Sequence, residues 1–320
     1  MEMNCVNPLV TVCVLTYESS DFVLETLDSI KNQTYGNIQL IISDDSSKDS
    51  TVSVCQAWLE RNMDRFASAR IITAESNTGV TANCNRAVKN AEGRWIKLLA
   101  GDDILWHDAL ETLVSRAESL PYDRFFIGGF VQPFSDTQDL PRDTSREREL
   151  ILLGGIVTSE HQLEALRCKN PLFAPTVLLP SSVFGKFCFD ETYPFAEDYP
   201  MFLHMLEAGY RYINIERPLV RYRIHTNSIS NDGRSEKLFT TFYKRKRILE
   251  EGLQLPHVEF AVRAKLNHDY NVRLFLDKVG LNRKNAFCQV IFSICLRLNP
   301  FFYIGRWAYE SKLKKYQHKH

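Results

Sequence analysis

Two acidic pairs in this 320-residue chain stand where carboxylates could do chemistry. The first, Asp102-Asp103, follows the run Arg94-Trp95-Ile96-Lys97-Leu98-Leu99-Ala100 and a glycine, Gly101. An apolar run that stops at a glycine and two acids reads as a strand delivering carboxylates to a cleft, because open α/β sheets bind ligands beyond the carboxyl ends of their strands. Adjacent like charges repel, and a divalent cation relieves that repulsion through hard oxygen ligands. The same residues also suit a turn that caps the next helix, a common use of Asp. The second pair, Glu197-Asp198, precedes Tyr199-Pro200 and a run from Met201 to Gly209 with Phe202, Met205 and Leu206 at helical spacing. Taken alone, Asp198 there is an N-cap with Pro200 in the first turn.

The elements that must position these groups alternate in kind. Val10 to Leu15 is a β-branched strand, and Ser20 or Asp21 can cap a helix burying Val23, Leu24, Leu27 and Ile30. Ile38 to Ser43 is a second strand, ending at Asp44-Asp45-Ser46-Ser47, and Asp49 or Ser50 opens a helix with Val54, Cys55, Trp58 and Leu59 inward. Ala69 to Thr73 leads through Asn77-Thr78-Gly79 into a helix with Val80, Cys84, Ala87, Val88 and Ala91 on one face, closed by Gly93. Strand and helix alternating over short connections imply an α/β fold with a mainly parallel sheet and flanking helices. The loops at Thr16-Tyr17-Glu18, Asp44-Asp45, Asn77 to Gly79 and Asp102-Asp103 then share one sheet edge. Phe125 to Val131 reads as a further strand, and the polar run Ser135 to Arg148 as a mobile loop. Asn170 to Pro180, ringed by proline, reads as an extended segment away from the sheet centre.

These motifs in their order resemble the family 2 glycosyltransferases with the GT-A (Rossmann-like) fold. The resemblance rests on Thr16-Tyr17, Ser43 to Ser47 with Asp49 and Thr51, Asn77-x-Gly79 with Asn83-Cys84-Asn85, Ala91 to Ile96, and Gly101-Asp102-Asp103. It continues in Phe189-Asp190-Glu191, Glu197-Asp198, Gly209-Tyr210-Arg211 and Tyr222-Arg223-x-His225-x-Asn227-Ser228-x-Ser230. It implies that Asp45 contacts the uracil of a UDP-sugar, that Thr16 and Tyr17, with Glu18 beside them, line the base pocket, and that Asn83 lies near the nucleotide. It further implies Asp103 as ligand of Mn2+ or Mg2+, Asp102 close to the sugar, and Asp198 as catalytic base. Glu18 and Ser46 depart from the family pattern, which more often has Asn and Gly there.

The implied reaction is an inverting single displacement, in which an acceptor hydroxyl attacks the anomeric carbon opposite the nucleoside diphosphate. It needs a base for the hydroxyl proton, worth ~10²–10⁴-fold, and a cation for the leaving group. His225, after the strand Leu219 to Ile224, suits the diphosphate or the metal shell, and equally an exposed loop. Arg221 and Arg223 suit phosphate, though arginines on a half-exposed strand are more often solvated. The expected domains are residues 1–232, with a nucleotide-sugar half (1–115) and an acceptor half (116–232), and a helical extension, 233–320.

That extension begins with a helix dense in Lys and Arg from Leu238 to Leu249, with Phe239, Phe242 and Tyr243 interleaved, followed by a second from Phe260 to Val279. Phe287 to Tyr303 is apolar but broken at Arg297, Asn299 and Pro300, and ends in Trp307, Tyr309 and a basic tail to His320. A spanning helix needs about 20 uninterrupted apolar residues, so this segment is expected to lie in a membrane interface or to cap the core. Membrane contact would suit a saccharide acceptor carried on undecaprenyl diphosphate, as in the O-antigen and capsule enzymes the chain resembles. Lys+Arg and Asp+Glu both total 39, which argues against nucleic acid as partner. Eight cysteines without a CxxC pair fit a reducing compartment and offer no zinc site. Met1-Glu2-Met3-Asn4 lacks the pattern of a signal peptide, so a cytoplasmic place, or one on the cytoplasmic face of the inner membrane, is expected. Two rivals are a sugar-phosphate nucleotidylyltransferase, which should carry a glycine-rich basic loop after its first strand, and a non-catalytic nucleotide-sugar-binding module, which should lack Asp103 or Asp198.

Overall fold

The computed structural model describes residues 7–136, 138–225 and 237–316, without the side chains of Thr241 and Phe242. Met1 to Asn4, Asn227, Ser228, Ser230, the expected boundary at 232/233 and the last four residues lie outside that description. In chain order the elements are β1 (Val10–Thr16), α1 (Val23–Lys31), β2 (Ile38–Asp44), α2 (Thr51–Asn62), β3 (Ser68–Thr73), α3 (Val80–Val88), β4 (Trp95–Ala100) and β5 (Ile104–Leu105). Next come α4 (Ala109–Glu118), β6 (Phe125–Ser135), β7 (Gln138–Asp139), α5 (Thr144–Gly154), α6 (Ser159–Cys168), β8 (Leu178–Pro180), α7 (Asp198–Glu207) and β9 (Arg211–Arg223). The chain ends in α8 (Thr241–Leu249), α9 (Phe260–Lys278), α10 (Ala286–Arg297) and α11 (Pro300–Lys315).

Two compact units result, one of residues 1–155 and 171–223, the other of 156–170 and 224–320. In the first, the sheet runs β3-β2-β1-β4-β8-β6-β9-β5, with β7 paired to β6. β1 is parallel to both β2 and β4, and β2 to β3, so the N-terminal half has the expected parallel order. Register brings Thr16 beside Asp44 and Leu15 beside Ala100, which leaves the three following loops flush at one edge. β1 and β2 are buried on both faces, as a parallel strand between two helix layers must be, and Val10, Val12, Leu40, Ile42, Leu27, Ile30 and Trp58 share the core.

Four sequence expectations change. Asn170 to Pro180 is not peripheral: β8, three residues long, pairs antiparallel with β4 and also with β6 in the middle of the sheet. Its brevity makes this possible, because Pro180 ends the strand and Pro175 precedes it, so no missing N–H falls inside the ladder. Ser135 to Arg148 is not a bare loop, since β7 folds back on β6 and α5 starts at Thr144, its first turn capped by Asp143, which accepts the Arg146 N–H at 3.0 Å. Gly93 does not close α3, which ends at Val88; it packs on β1 instead, where an added Cβ would lie 2.5 Å from the Thr11 nitrogen. Residues 156–170, carrying α6, belong with the C-terminal helices.

In the second unit, Phe239, Val272 and Leu276 form a small core with Phe292 and Leu296 against it. Gly305 lets α11 approach α9 closely, since a Cβ there would meet the Ala261 carbonyl at 3.1 Å. The far end of α11 is fixed to α6, with Tyr316 donating to Glu164 at 2.7 Å and stacking on His161.

Candidate active site

The flush strand ends form a polar edge whose loops are tied to one another. Thr16 is buried, and its hydroxyl donates to Asp44 Oδ2 at 2.9 Å, while Ser47 donates to the same carboxylate through N and Oγ at 2.8 and 2.6 Å. Tyr17 and Glu18 follow on the outside. Tyr17 is 46% exposed, and Glu18 takes a left-handed φ of 49° with its N–H donating to Ser47 Oγ at 2.8 Å. Asp49 braces the same loop by accepting the Ser20 N–H at 3.2 Å and the Thr51 hydroxyl at 2.6 Å.

Asp45 is the best-tied carboxylate of this edge. It accepts from Thr78 N and Oγ1 at 2.9 and 2.6 Å, Gly79 N at 2.7 Å and Arg86 at 2.8 Å. A carboxylate has about four lone-pair sites, and all are engaged. Burial pushes its pKa up, but the hydrogen bonds from Thr78, Arg86 and Gly79 together outweigh burial and hold it below the ordinary carboxylate range.

Helix α3 is the bracket between this edge and the second acidic pair. Asn83 is buried, donates to the Ser43 carbonyl at 2.9 Å, and accepts from Ser43 Oγ at 2.6 Å and Arg86 at 2.9 Å, so it pins the end of β2. Asn85 exchanges hydrogen bonds with the Phe189 backbone at 2.9 and 2.8 Å, and Thr81 donates to the Tyr193 carbonyl at 2.7 Å. Gly79 touches the same segment: with φ at 90°, an added Cβ would sit 2.9 Å from the Pro194 oxygen. Residues 189 to 194 are thereby held against α3, and Glu197-Asp198 follow at once. Arg86 and Thr81 have no place among the sequence motifs, where polar residues at helical spacing look like a solvated face, and Asn85 stands there only within Asn83-Cys84-Asn85, without a role.

Asp198 is the first residue of α7 but does not cap it; its Oδ1 accepts the adjacent Tyr199 N–H at 2.7 Å. Burial raises its pKa, partly offset by that N–H and by the Arg146 guanidinium on α5. Glu197 is pushed up to about 7, by burial first and by the Asp198 charge second. Arg146 is held in place by donating to the Pro171 and Leu172 carbonyls and by stacking 3.5 Å over the Phe173 ring. It also lay outside the sequence reading, within the stretch taken for a loop.

Asp102 and Asp103 cap no helix either. β5 follows them, and α4 starts only at Ala109. Asp103 is buried, accepts the Arg223 N–H at 3.0 Å, and is raised well above the usual carboxylate pKa by burial and then by the Asp102 charge. Two adjacent carboxylates, one of them disfavoured in its charged form by burial, are a donor set suited to Mn2+ or Mg2+, which would favour both in ionised form. Among the described residues no group of three or more His, Cys, Asp or Glu side chains forms a ready metal cage. His225 is partly buried at the start of the second unit. Lys97, unremarked in the sequence beyond its place in an apolar strand, is fully buried in β4 and donates to the Leu98 and Pro175 carbonyls. Burial lowers its pKa to about 7 against the supporting charge of Asp103.

Arg223 departs from the phosphate-binding role expected of it. Only 3% of its side chain is exposed, lodged between the Phe22 and Phe134 rings; it donates to the Asp102 carbonyl at 3.0 Å and pairs with Asp136 at 2.7 Å and Glu25 at 2.9 Å. The adjoining cleft of about 610 Å³ carries the carboxylates of Asp21, Glu25, Asp136 and Asp139 against two arginines, which disfavours a diphosphate. Arg223 clamps the turn that carries Asp102 and Asp103. Arg221 likewise pairs with Asp139 at 2.8 Å.

Residues 11–168 match the model of Glycosyl transferase family 2. The chain is 23% identical over 279 residues to the Escherichia coli UDP-Glc:alpha-D-GlcNAc-diphosphoundecaprenol beta-1,3-glucosyltransferase WfaP, covering 83% of this chain and 97% of that one. Its fold is similar to Staphylococcus aureus TarS 1-349 in complex with UDP-GlcNAc, with a TM-score of 0.56 and 15% identity over 96% of this chain and 90% of that one. It is also similar to the mannosyltransferase PcManGT from Pyrobaculum calidifontis in complex with GDP-Man and Mn2+, with a TM-score of 0.56 and 19% identity over 97% and 87% of the two chains. The family match begins in β1 and takes in every loop of the polar edge, and the chain folds like solved GT-A structures, so residues 11–168 form a family 2 glycosyltransferase domain in a chain that resembles the enzymes of bacterial O-antigen and capsule synthesis.

Proposed function

We propose that the chain transfers a sugar, with inversion, from a UDP-sugar to a hydroxyl of a saccharide acceptor carried on a lipid diphosphate. The observation that carries the reading is Asp198, a carboxylate at the start of α7 that is not consumed in capping and that α3 brackets to the nucleotide edge. The WfaP likeness supports a polyprenyl diphosphate acceptor and TarS supports UDP, whereas PcManGT takes GDP-mannose.

Tyr17 offers an exposed ring face to the base. Asp45 receives a base N–H by exchange with Arg86, the one of its partners whose side chain can swing into solvent. Asp103, beside Asp102, would hold Mn2+ or Mg2+, whose chemistry there is to offset charge developing on the leaving diphosphate. Asp198, ionised, takes the proton of the acceptor hydroxyl as its oxygen bonds to the anomeric carbon and the bond to the diphosphate breaks; the nucleoside diphosphate leaves with that electron pair. Arg146 sustains the ionised form of Asp198 against burial. No covalent enzyme intermediate arises, so the product has the opposite anomeric configuration to the donor.

The test is nucleotide release from a panel of UDP- and GDP-sugars with lipid-diphosphate-linked saccharides as acceptors, followed by proton NMR of the fresh product. Release from a UDP-sugar with inverted configuration is expected. A retained configuration, or release confined to GDP-sugars, would contradict the reading.

A further inference from the structure

We infer that α10 and α11 form a docking surface for an anionic lipid bilayer, lying in its plane. Along α10, Phe287, Val290 and Ile294 recur on one face, with Leu298 just beyond, and their exposures are 67, 57, 52 and 76%. On α11, Tyr303 and Trp307 fall one turn apart and are 55 and 69% exposed. The opposite face of α10 is already in use, with Cys288 buried and Phe292 and Leu296 packed on the small core. A soluble unit that turns an aromatic and aliphatic stripe outward on two successive helices presents an interaction surface.

Charge identifies the occupant. The whole chain balances 39 basic against 39 acidic residues, yet no Asp or Glu occurs from Val279 to Tyr309, where Arg283, Lys284, Arg297 and Arg306 lie. Lys312, Lys314 and Lys315 follow; Lys312 is held by Glu259 at 3.0 Å and Glu164 at 4.0 Å and Arg306 by Glu310 at 2.8 Å, so Lys314 and Lys315 are the exposed basic pair at this end. A border of net positive charge beside an apolar stripe matches anionic headgroups above acyl chains, and Trp and Tyr suit the boundary between the two. A second copy of the chain fits poorly, because a symmetric contact would press this border against itself.

Geometry sets the orientation. Ala286–Arg297 and Pro300–Lys315 reach membrane-grade hydropathy together, but they are bent by 73° at the break, and no single described helix is long and apolar enough to cross. α10 has 12 residues, about 18 Å of helix against a hydrocarbon core of about 30 Å. With its inner face packed on protein, it can present only the outer one to lipid.

The inference goes beyond the transfer reaction and needs no donor to test. The full chain is floated with phosphatidylcholine vesicles with and without 30 mol% phosphatidylglycerol, a composition chosen at about the anionic fraction that attracts polybasic segments. Binding to the anionic vesicles is expected, weakened by 0.5 M salt (an approximate choice that shortens screening to a few ångströms). Ile294→Ser with Trp307→Ser should lower partitioning roughly tenfold or more, and Lys314→Glu with Lys315→Glu should remove the anionic preference by about tenfold. These residues are exposed, and unchanged helical circular dichroism is the control; if the apolar pair unfolds, the charge pair decides. No flotation of the unaltered chain, or flotation indifferent to both pairs, overturns the inference. So does a dimer in sedimentation that the apolar pair breaks while vesicles are ignored.

Discussion

Replacing Asp45 by Asn isolates the tie between the polar edge of the sheet and α3. Asp45 Oδ2 accepts two backbone N–H groups, of Thr78 and Gly79, that cannot turn away, so the amide oxygen of Asn must stay on that side. Its –NH2 then faces the Thr78 hydroxyl, which can rotate to accept, and the Arg86 guanidinium, which has no acceptor. One charge-assisted hydrogen bond is lost and two donors are left facing each other. Arg86 retains 21% exposure and can swing to water, so the cost should be about 2 kcal/mol, toward the lower end for a bond of this type. The wild-type carboxyl is held below its usual range, so its contribution is fully present above the unfolded value of about 3.9 and is lost as pH falls through the folded pKa. Urea unfolding of both proteins should give a gap of about 2 kcal/mol at pH 7 that narrows only below about pH 4. Arg86→Met should remove much of the same energy, and the double variant should cost less than the sum. A gap under about 0.5 kcal/mol, or one unchanged down to about pH 3, would refute the reasoning.

Two further outcomes concern the loops around Asp198. Gly79→Ala forces a side chain into a left-handed backbone and against the Pro194 carbonyl, and should lower stability by about 2 kcal/mol in urea unfolding; an unchanged midpoint would show that the contact with residues 189 to 194 is loose. Glu197→Gln should stabilise the protein by about 1–3 kcal/mol at pH 8, with no gain near pH 4. The sign follows from a folded pKa raised to about 7, whose favourable contribution is complete below the unfolded value and lost as pH rises. A pH-independent difference would show that Glu197 is not held protonated by burial.

What could be read from the sequence was whatever repeats at short range. β1 to β4 were legible because β-branched runs alternate with amphipathic helices, and their register then fixes where the loops at Thr16, Asp45 and Asp103 emerge. Long-range pairing was not legible. Nothing local distinguishes β8 at the sheet centre from an edge segment between prolines, since its partners β4 and β6 lie far away in sequence. α5 was hidden because its first turns are polar and only Leu150 and Leu153 reach the core. Arg223 was given to phosphate because spacing cannot reveal that Glu25 and Asp136 close on it. The partners of Arg86, Asn85 and Thr81 escaped for the same reason: a polar side chain's partner, unlike an apolar one's burial, leaves no periodic trace.

The division of labour between the two acidic pairs is the centre of the account, and calorimetry of UDP with Mn2+, paired with a transfer assay, tests it most directly. Asp103→Asn should abolish metal-dependent UDP binding, whereas Asp198→Asn should bind UDP nearly as the unaltered protein does and lose transfer by ~10²–10⁴-fold. Equal loss of UDP affinity in both variants, or transfer that survives Asp198→Asn, would contradict it.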